Sequence, residues 1–212
     1  MSLKAILIDL GNVLVFFDRH RVVEHFASIT GMSADVINFH LNKSADGQAR
    51  LAAFEEGRIG QDEFQTLTQR VLGQSFPIKL FWAMHADLFS ANYPVINLLH
   101  RVSSLYPDVR LLAVTNTDEV RLERMLLLAG IRFHEVIASC HVGSKKPDPR
   151  IYQAAIKRAG VPEQDCLFVD DVPENCVAAE KNCIPSHHYQ TLAGLEGALG
   201  ERGLNLKKGE NS

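Results

Sequence analysis

The sequence predicts an α/β fold: a doubly wound, Rossmann-like parallel sheet with an α-helical cap inserted near its start. Three observations predict it. Short apolar runs that end in polar residues, Lys4 to Asp9, Arg110 to Thr115 and Cys166 to Asp170, read as buried parallel strands. From Tyr93 onward such runs alternate with single helical segments, which calls for right-handed crossovers in one sheet. Between Asp18 and His85 no comparable β-branched run occurs, only helical periodicity.

Each element has a local reason. Lys4 to Asp9 is apolar up to its last residue and breaks into Leu10-Gly11-Asn12, a strand followed by a tight turn. In the helical block, Val22, Val23 and Phe26 share a stripe, as do Val36, Ile37 and Leu41, and Phe64, Leu67 and Val71. Ser33 and Asp62 are read as helix N-caps, and Gly57, Gly60 and Gly73 punctuate the loops. Pro94 opens a helix through Ile96, Leu99 and Val102; Arg110 to Thr115 is a strand, and Asp118 to Ala129 a helix stopped by Gly130. Glu135 to Ser139 is a shorter strand, and Arg150 to Ala159 a helix stopped by Gly160. Cys166 to Asp170, Pro173 to Lys181 and Ile184 to Tyr189 complete the series as strand, helix and weak final strand. The expected division is a core of residues 1–16 and 88–212 with a cap of residues 17–87 over the strand ends.

Composition excludes several classes of function. A net charge of −3 without a dense Lys/Arg stripe gives no electrostatic case for nucleic acid, and Lys207-Lys208 sits in a polar tail. No run approaches the ~20 apolar residues of a membrane span, and the first apolar stretch reaches Asp9 too soon for a signal-peptide core. Cys140, Cys166, Cys176 and Cys183 lack metal-type spacing and are expected as buried free thiols in a reducing, cytoplasmic setting. No Gly-x-Gly-x-x-Gly or Walker segment supports a nucleotide cofactor.

In open α/β sheets ligands bind beyond the carboxyl ends of the strands, where Asp9, Thr115 and Asp170-Asp171 all fall. Each Asp taken singly could cap a turn or helix. Three carboxylates brought together instead require a cation. Asp9 to Val13 adds a tight loop with free backbone N–H groups, Leu10 and Gly11 among them. Thr115-Asn116 adds a hydroxyl and an amide, and Ser144-Lys145-Lys146-Pro147-Asp148-Pro149 adds lysine before a helix start. Hydroxyl, backbone amides and lysine suit phosphoryl oxygens. Oxygen ligands suit Mg²⁺, which neutralises carboxylates and phosphate together. Asp9 would then attack phosphorus and form an aspartyl-phosphate.

These four segments, in this order, resemble the motifs of the haloacid dehalogenase-like hydrolase superfamily, in its phosphatase branch with a helical cap. The resemblance covers essentially the whole chain. It implies Asp9 as nucleophile, Thr115 followed by Asn116 as the second motif, Lys146 of Lys146 to Tyr152 as the third, and Asp170-Asp171 as the fourth, with Asn175 one turn on. It also implies Mg²⁺ held by Asp9, the Gly11 carbonyl, and Asp171 or Asp170, with Leu10, Gly11, Thr115, Asn116 and Lys146 around the phosphoryl group. Asp171 matches the family's Gly-Asp pattern best. Glu55 to Phe64 resembles a cap helix–turn–helix of the same family. The implied partner is a small phosphorylated metabolite, with no nucleic acid or membrane, acting on a monomer or homodimer.

One departure matters. Most phosphatases of the family carry a second Asp two residues after the nucleophile, as general acid and then base; here that position is Gly11. General acid–base help is worth ~10²–10⁴ in rate. Asp9-Leu10-Gly11-Asn12-Val13 resembles some sugar-phosphatase members, which implies a sugar phosphate such as a hexose 1-phosphate, whose anomeric oxygen leaves readily. Alternatively Asp18 or His20 supplies the proton, although Asp18 also reads as a helix N-cap. A non-catalytic phosphate binder and a 2-haloacid dehalogenase are the competing readings.

Nine histidines, including His134, His141, His187 and His188, form no recognisable ligand triad. His40, Lys43, Arg50, Trp82 and His85 are placed in the cap, facing substrate or making contacts within the cap; Trp82 is read as an anchor beside Phe81. Phe16 and Phe17 stand at the exit into the cap, where one can line the pocket mouth or both can pack cap onto core.

Overall fold

The computed structural model describes residues 3–86 and 88–206, so Lys207-Lys208 lies outside the described residues. The chain opens with β1 (Ala5–Ile8) and β2 (Val15–Phe17). Five helices follow: α1 (Arg19–Thr30), α2 (Ala34–Asn38), α3 (Ala45–Glu55), α4 (Gln61–Leu72) and α5 (Ile78–Ala86). Then come β3 (Phe89–Ala91), α6 (Tyr93–Leu105), β4 (Arg110–Thr115), α7 (Glu119–Ala129) and β5 (Glu135–Ala138). The rest is α8 (Ser139–Val142), α9 (Pro149–Ala159), β6 (Cys166–Asp170), α10 (Pro173–Lys181), β7 (Ser186–His188) and α11 (Leu192–Glu201).

Five parallel strands form one sheet in the order β5-β4-β1-β6-β7. The chain builds outward from β1 through β4 to β5, then crosses back to β6 on the other side of β1. That reversal is the doubly wound topology, and it places the switch point at the carboxyl end of β1. Alternation along the strands feeds two cores. Ile6, Ile8, Leu111 and Val169 point to the layer containing α6, α7 and α11, whereas Leu7, Leu112, Val114 and Phe168 face α9 and α10. Because both faces are covered, the strands read as continuous apolar runs.

Helices α1 to α5 pack around a separate cluster in which Phe26, Ile37, Phe54, Phe64 and Phe81 are buried. Trp82 stacks among Phe54, Phe64 and Phe81, with ring centroids 5.0 to 6.1 Å apart. Two short strands join this cluster to the sheet. β2 pairs antiparallel with β3, with Phe17 opposite Phe89, so the chain leaves and re-enters the core side by side.

Several local expectations are corrected. Helix α4 is capped at Gly60, and Asp62 lies inside its first turn, where its charge complements the helix N-terminus. Ser33 does cap α2, but a π-helical turn over Phe39–Lys43 follows directly, with the Ser44 N–H donating to the Phe39 carbonyl. The stripe is narrower than expected: Ile37 is buried and Leu41 packs against the same cluster, whereas Val36, about 100° round the helix from Ile37, is exposed. Of the four thiols, Cys166 and Cys176 are buried, Cys140 is half-buried, and Cys183 is exposed in a left-handed turn after α10. Among the described residues no helix is long and apolar enough to cross a membrane.

Candidate active site

Asp9, Thr115 and Asp170 end the three central strands, and the loop before α9 brings Lys146 between them. The Lys146 ammonium is enclosed: Nζ lies 3.0 Å from Asp9 Oδ1 and donates to Asp170 Oδ2 at 2.7 Å and to the Val114 carbonyl at 2.8 Å. All three of its N–H donors therefore have acceptors. Burial works against this ammonium, yet Asp9 and Asp170 outweigh it and hold its pKa above the ordinary lysine value. For Asp9 the balance tips the other way. Its pKa is raised to about 7, the net of burial pushing it up, Lys146 pulling it down, and Asp170 and Asp171 pushing it up.

The loop geometry divides the two adjacent acids. Asp170 is fully buried and accepts from Lys146 Nζ, from the Val172 N–H at 2.9 Å and from Asn175 Nδ2 at 2.9 Å. Asp171 accepts from Asn12 Nδ2 at 3.0 Å and lines the cavity above the strand ends. Carboxylate oxygens of Asp9, Asp170 and Asp171 lie within 4.8 Å of one another, a hard all-oxygen donor set of the kind that suits Mg²⁺.

The remaining motif residues serve the frame. The Leu10 N–H donates to Asp9 Oδ1 at 2.8 Å and so aims the carboxylate. Asn116 clamps the Lys146 backbone at both ends: its Nδ2 donates to the Lys146 carbonyl at 2.9 Å and its Oδ1 accepts the Lys146 N–H at 2.8 Å. Its side-chain amide is thus committed, and a ligand contact from this residue falls to the backbone. Thr115 is buried and reaches the cavity. Gly11 also lines it, and a Cβ there would stand 3.3 Å from the Phe17 ring, so Phe17 fills the space beside the position the family's second acid occupies. Phe16 is 46% exposed and points away.

A cavity of about 280 Å³ joins these residues to the helical cluster, which supplies Asn42, Arg50, Phe54, Phe64 and His85 to its wall. His85 Nδ1–H donates to the Phe81 carbonyl at 2.9 Å, and burial pushes the imidazole down to about 4, so the neutral ring keeps Nε2 as an acceptor. Arg121 on α7 is ion-paired with Asp118 and, at 3.2 Å, with Glu55 of α3, tying helical cluster to sheet. Asp18 instead caps α1 through the His20 N–H at 2.9 Å, and both residues are exposed outside the cavity.

Phe17, one of the two aromatics read as able to line the pocket mouth, does so, whereas Glu55 and Arg121 escaped the sequence reading as site residues because nothing local marks them; their positions in the cavity depend on how α3 meets α7. Asn12 carried a signal: its φ of 52° places it in the left-handed turn that turns its amide towards Asp171. Outside the cavity, Glu119, Cys140 and His141 gather on the surface, where His141 Nε2 lies 2.6 Å from Glu119 Oε2.

A strand-end carboxylate at a sheet switch point, a buried lysine bridging it to a second acid, and a helical insertion above are the site of one hydrolase family. The model of the haloacid dehalogenase-like hydrolases matches residues 3–181, and the chain belongs to that family. Phosphatase MT3486 of Mycobacterium tuberculosis (strain CDC 1551 / Oshkosh) is 27% identical over 182 residues, covering 82% of this chain and 81% of that protein. The HAD family enzyme bt-2542 of Bacteroides thetaiotaomicron, solved in complex with magnesium and inorganic phosphate, superposes with a TM-score of 0.77 at 24% identity, covering 89% of this chain and 95% of that one. The L-2-haloacid dehalogenase of Xanthobacter autotrophicus shares the fold at a TM-score of 0.64 and 16% identity, over 96% of this chain and 84% of that one.

Proposed function

We propose that the protein is a Mg²⁺-dependent phosphatase of small organic phosphate monoesters, with Asp9 as the nucleophile. The observation that carries this reading is the Asp9–Lys146–Asp170 chain of contacts beside an Asp171 that faces the cavity. Asp9, Asp171 and the Gly11 carbonyl would hold Mg²⁺, which would supply charge neutralisation between carboxylates and phosphate. Asp170 accepts from Lys146, the Val172 N–H and Asn175, and acts chiefly by holding the lysine in place.

Asp9 attacks phosphorus; the bond from phosphorus to the ester oxygen breaks, and that oxygen leaves with the electron pair. Water then attacks the aspartyl-phosphate, and inorganic phosphate leaves the regenerated carboxylate. Lys146 offsets charge on Asp9 and the phosphoryl oxygens throughout. Thr115 and the backbone N–H groups of Gly11 and Asn116 position those oxygens. The cap, residues 17–87, closes over the cavity and excludes bulk water. With Gly11 and Phe17 where an acid would stand, the leaving oxygen departs without a proton from that position, which favours a stable leaving group. The Asp9-Leu10-Gly11-Asn12-Val13 resemblance points to sugar phosphates for that reason.

The test is phosphate release from a panel of sugar and other small phosphates, with Mg²⁺ and with EDTA, beside Asp9→Asn. Mg²⁺-dependent release that Asp9→Asn abolishes is the expected result. Phosphate binding without release from any ester would make the protein a binder, and halide release from 2-haloacids without metal would replace the reading outright.

A further inference from the structure

Two arginines line the cavity, and their surroundings differ. Arg121 is matched by two carboxylates, Asp118 and Glu55. Arg50, on α3, is only 8% exposed, and its guanidinium makes a single polar contact, from Nη2 to the His40 carbonyl at 3.1 Å. It forms no ion pair among the described residues; the one acid near enough to be felt is Asp46, which is exposed at the start of the same helix. Burial lowers the Arg50 pKa, the signature of a cation short of compensation.

A guanidinium set in a cavity wall without a counter-charge is poorly compensated: of its five N–H donors one has a protein acceptor, and the others are not sealed from the cavity and stay free for a ligand. A hydrogen bond to a carbonyl does not neutralise it. The other cations at this cavity are committed: Lys146 to Asp9 and Asp170, Arg121 to Asp118 and Glu55. Arg50 is therefore the cation left over, and it enters from the cap, whereas the nucleophile enters from the sheet. The wall around it is apolar, with Leu51, Phe54 and Phe64, and the Asn42 amide N–H is spent on Asn38 at 3.0 Å.

Building on the phosphatase reading, we infer that Arg50 is a specificity-determining residue that receives a second anionic group, a carboxylate or a second phosphate, on the leaving-group end of the substrate. The guanidinium fork matches either group through two parallel N–H donors. The substrate class is then a small phosphate monoester whose leaving group carries an acid, such as a phosphorylated sugar acid or a bisphosphate.

Two matched pairs test this on the full chain. 3-Phosphoglycerate against glycerol 3-phosphate changes only a carboxylate, and fructose 1,6-bisphosphate against fructose 1-phosphate changes only a second phosphate. The acidic member of at least one pair should have a kcat/KM at least about tenfold higher, and the pair that responds names the anion. Arg50→Met should lower kcat/KM for that acidic member on the order of a hundredfold, the usual cost of stripping one partner from a buried charge pair, while sparing the neutral member. Arg50→Lys should restore part of the preference. Equal rates within both pairs would overturn the inference, as would an Arg50→Met that slows both members alike, since that is the mark of a strut to His40. Calorimetric binding of the same pairs to Asp9→Asn repeats the comparison without turnover. An enzyme that releases no phosphate yet prefers the acidic members fails the phosphatase reading and upholds Arg50.

Discussion

Replacing Lys146 by Met should destabilise the fold by an amount the contacts define. The substitution keeps the aliphatic stem and removes the charge that lies 3.0 Å from Asp9 and 2.7 Å from Asp170. Asp170 has no exposed surface and Asp9 very little, so neither carboxylate recovers its lost partner from water. Breaking a buried pair from one side costs about 3–5 kcal/mol. For a protein of this size about 2–4 °C accompanies each kcal/mol, so the melting temperature should fall by about 6–20 °C at pH 8 in EDTA. Urea unfolding of wild type, Lys146→Met, Asp170→Asn and the double variant measures the coupling. The double variant should be more stable than Lys146→Met, because one stranded charge has been removed. The deficit should also shrink as pH falls from 8 towards the ordinary carboxylate pKa of about 3.9, because Asp9, already raised to about 7 beside its lysine, takes up its proton in the fold before the unfolded chain does. A loss under about 1 kcal/mol, or a double variant no better than Lys146→Met, would refute the claim that these charges are buried and mutually dependent.

Three further predictions concern neighbouring groups. Mg²⁺ at a hundred times its dissociation constant should stabilise the wild type by about 2.7 kcal/mol in thermal unfolding; Asp171→Asn should lose most of that gain, and Asp170→Asn should weaken it less. His85 titrates at about 4 in the fold and near 6.5 unfolded, so the unfolded chain gains its proton first as pH falls. Stability should therefore drop by about 3 kcal/mol between pH 6.5 and 4 through this group, and His85→Gln should flatten that part of the pH–stability curve; an unchanged curve would mean that the ring is solvated. In the kinetic assay, loss of Mg²⁺-dependent release in Asp9→Asn with the melting temperature preserved separates chemistry from folding.

How much of this was legible in the sequence follows from what each element needs. The sheet was readable because strands buried on both faces must be apolar throughout, and Ile6 to Ile8, Leu111 to Val114 and Leu167 to Val169 are. The strand-end residues Asp9, Thr115 and Asp170 were readable because polarity there breaks an otherwise uniform run. The helical insertion was legible as helices but only partly as faces: Val36, placed on the stripe with Ile37, is exposed, and the π turn at Phe39–Lys43 matches no 3.6-residue template. β2 and β3 span three residues each, too short for any period to show. Arg50 was visible as a charge in a helix, and only the packing of α3 against the π turn shows that it is buried without an acid. Likewise, Asp170 and Asp171 are equivalent on paper; the hydrogen bonds from Lys146, Val172 and Asn175 are what separate them.

The pairing of Phe17 with Phe89 makes the insertion a replaceable cassette. Directly opposed residues of an antiparallel pair stand about 4.5–5.5 Å apart between Cα atoms, a gap that a two-residue turn such as Asn-Gly closes without strain. The two strands register only that narrow opening, and beyond it the insertion is tied back to the core through Glu55, which meets Arg121 at 3.2 Å. A core trimmed to such a hairpin should keep its five strands, its strand-end acids and Lys146 while losing the Arg121–Glu55 ion pair, an outcome that circular dichroism and thermal unfolding of the trimmed chain would check. On the proposed reading, the groups assigned to chemistry sit on the sheet and the residue assigned to substrate choice on the insertion, the two joined at a socket three residues deep.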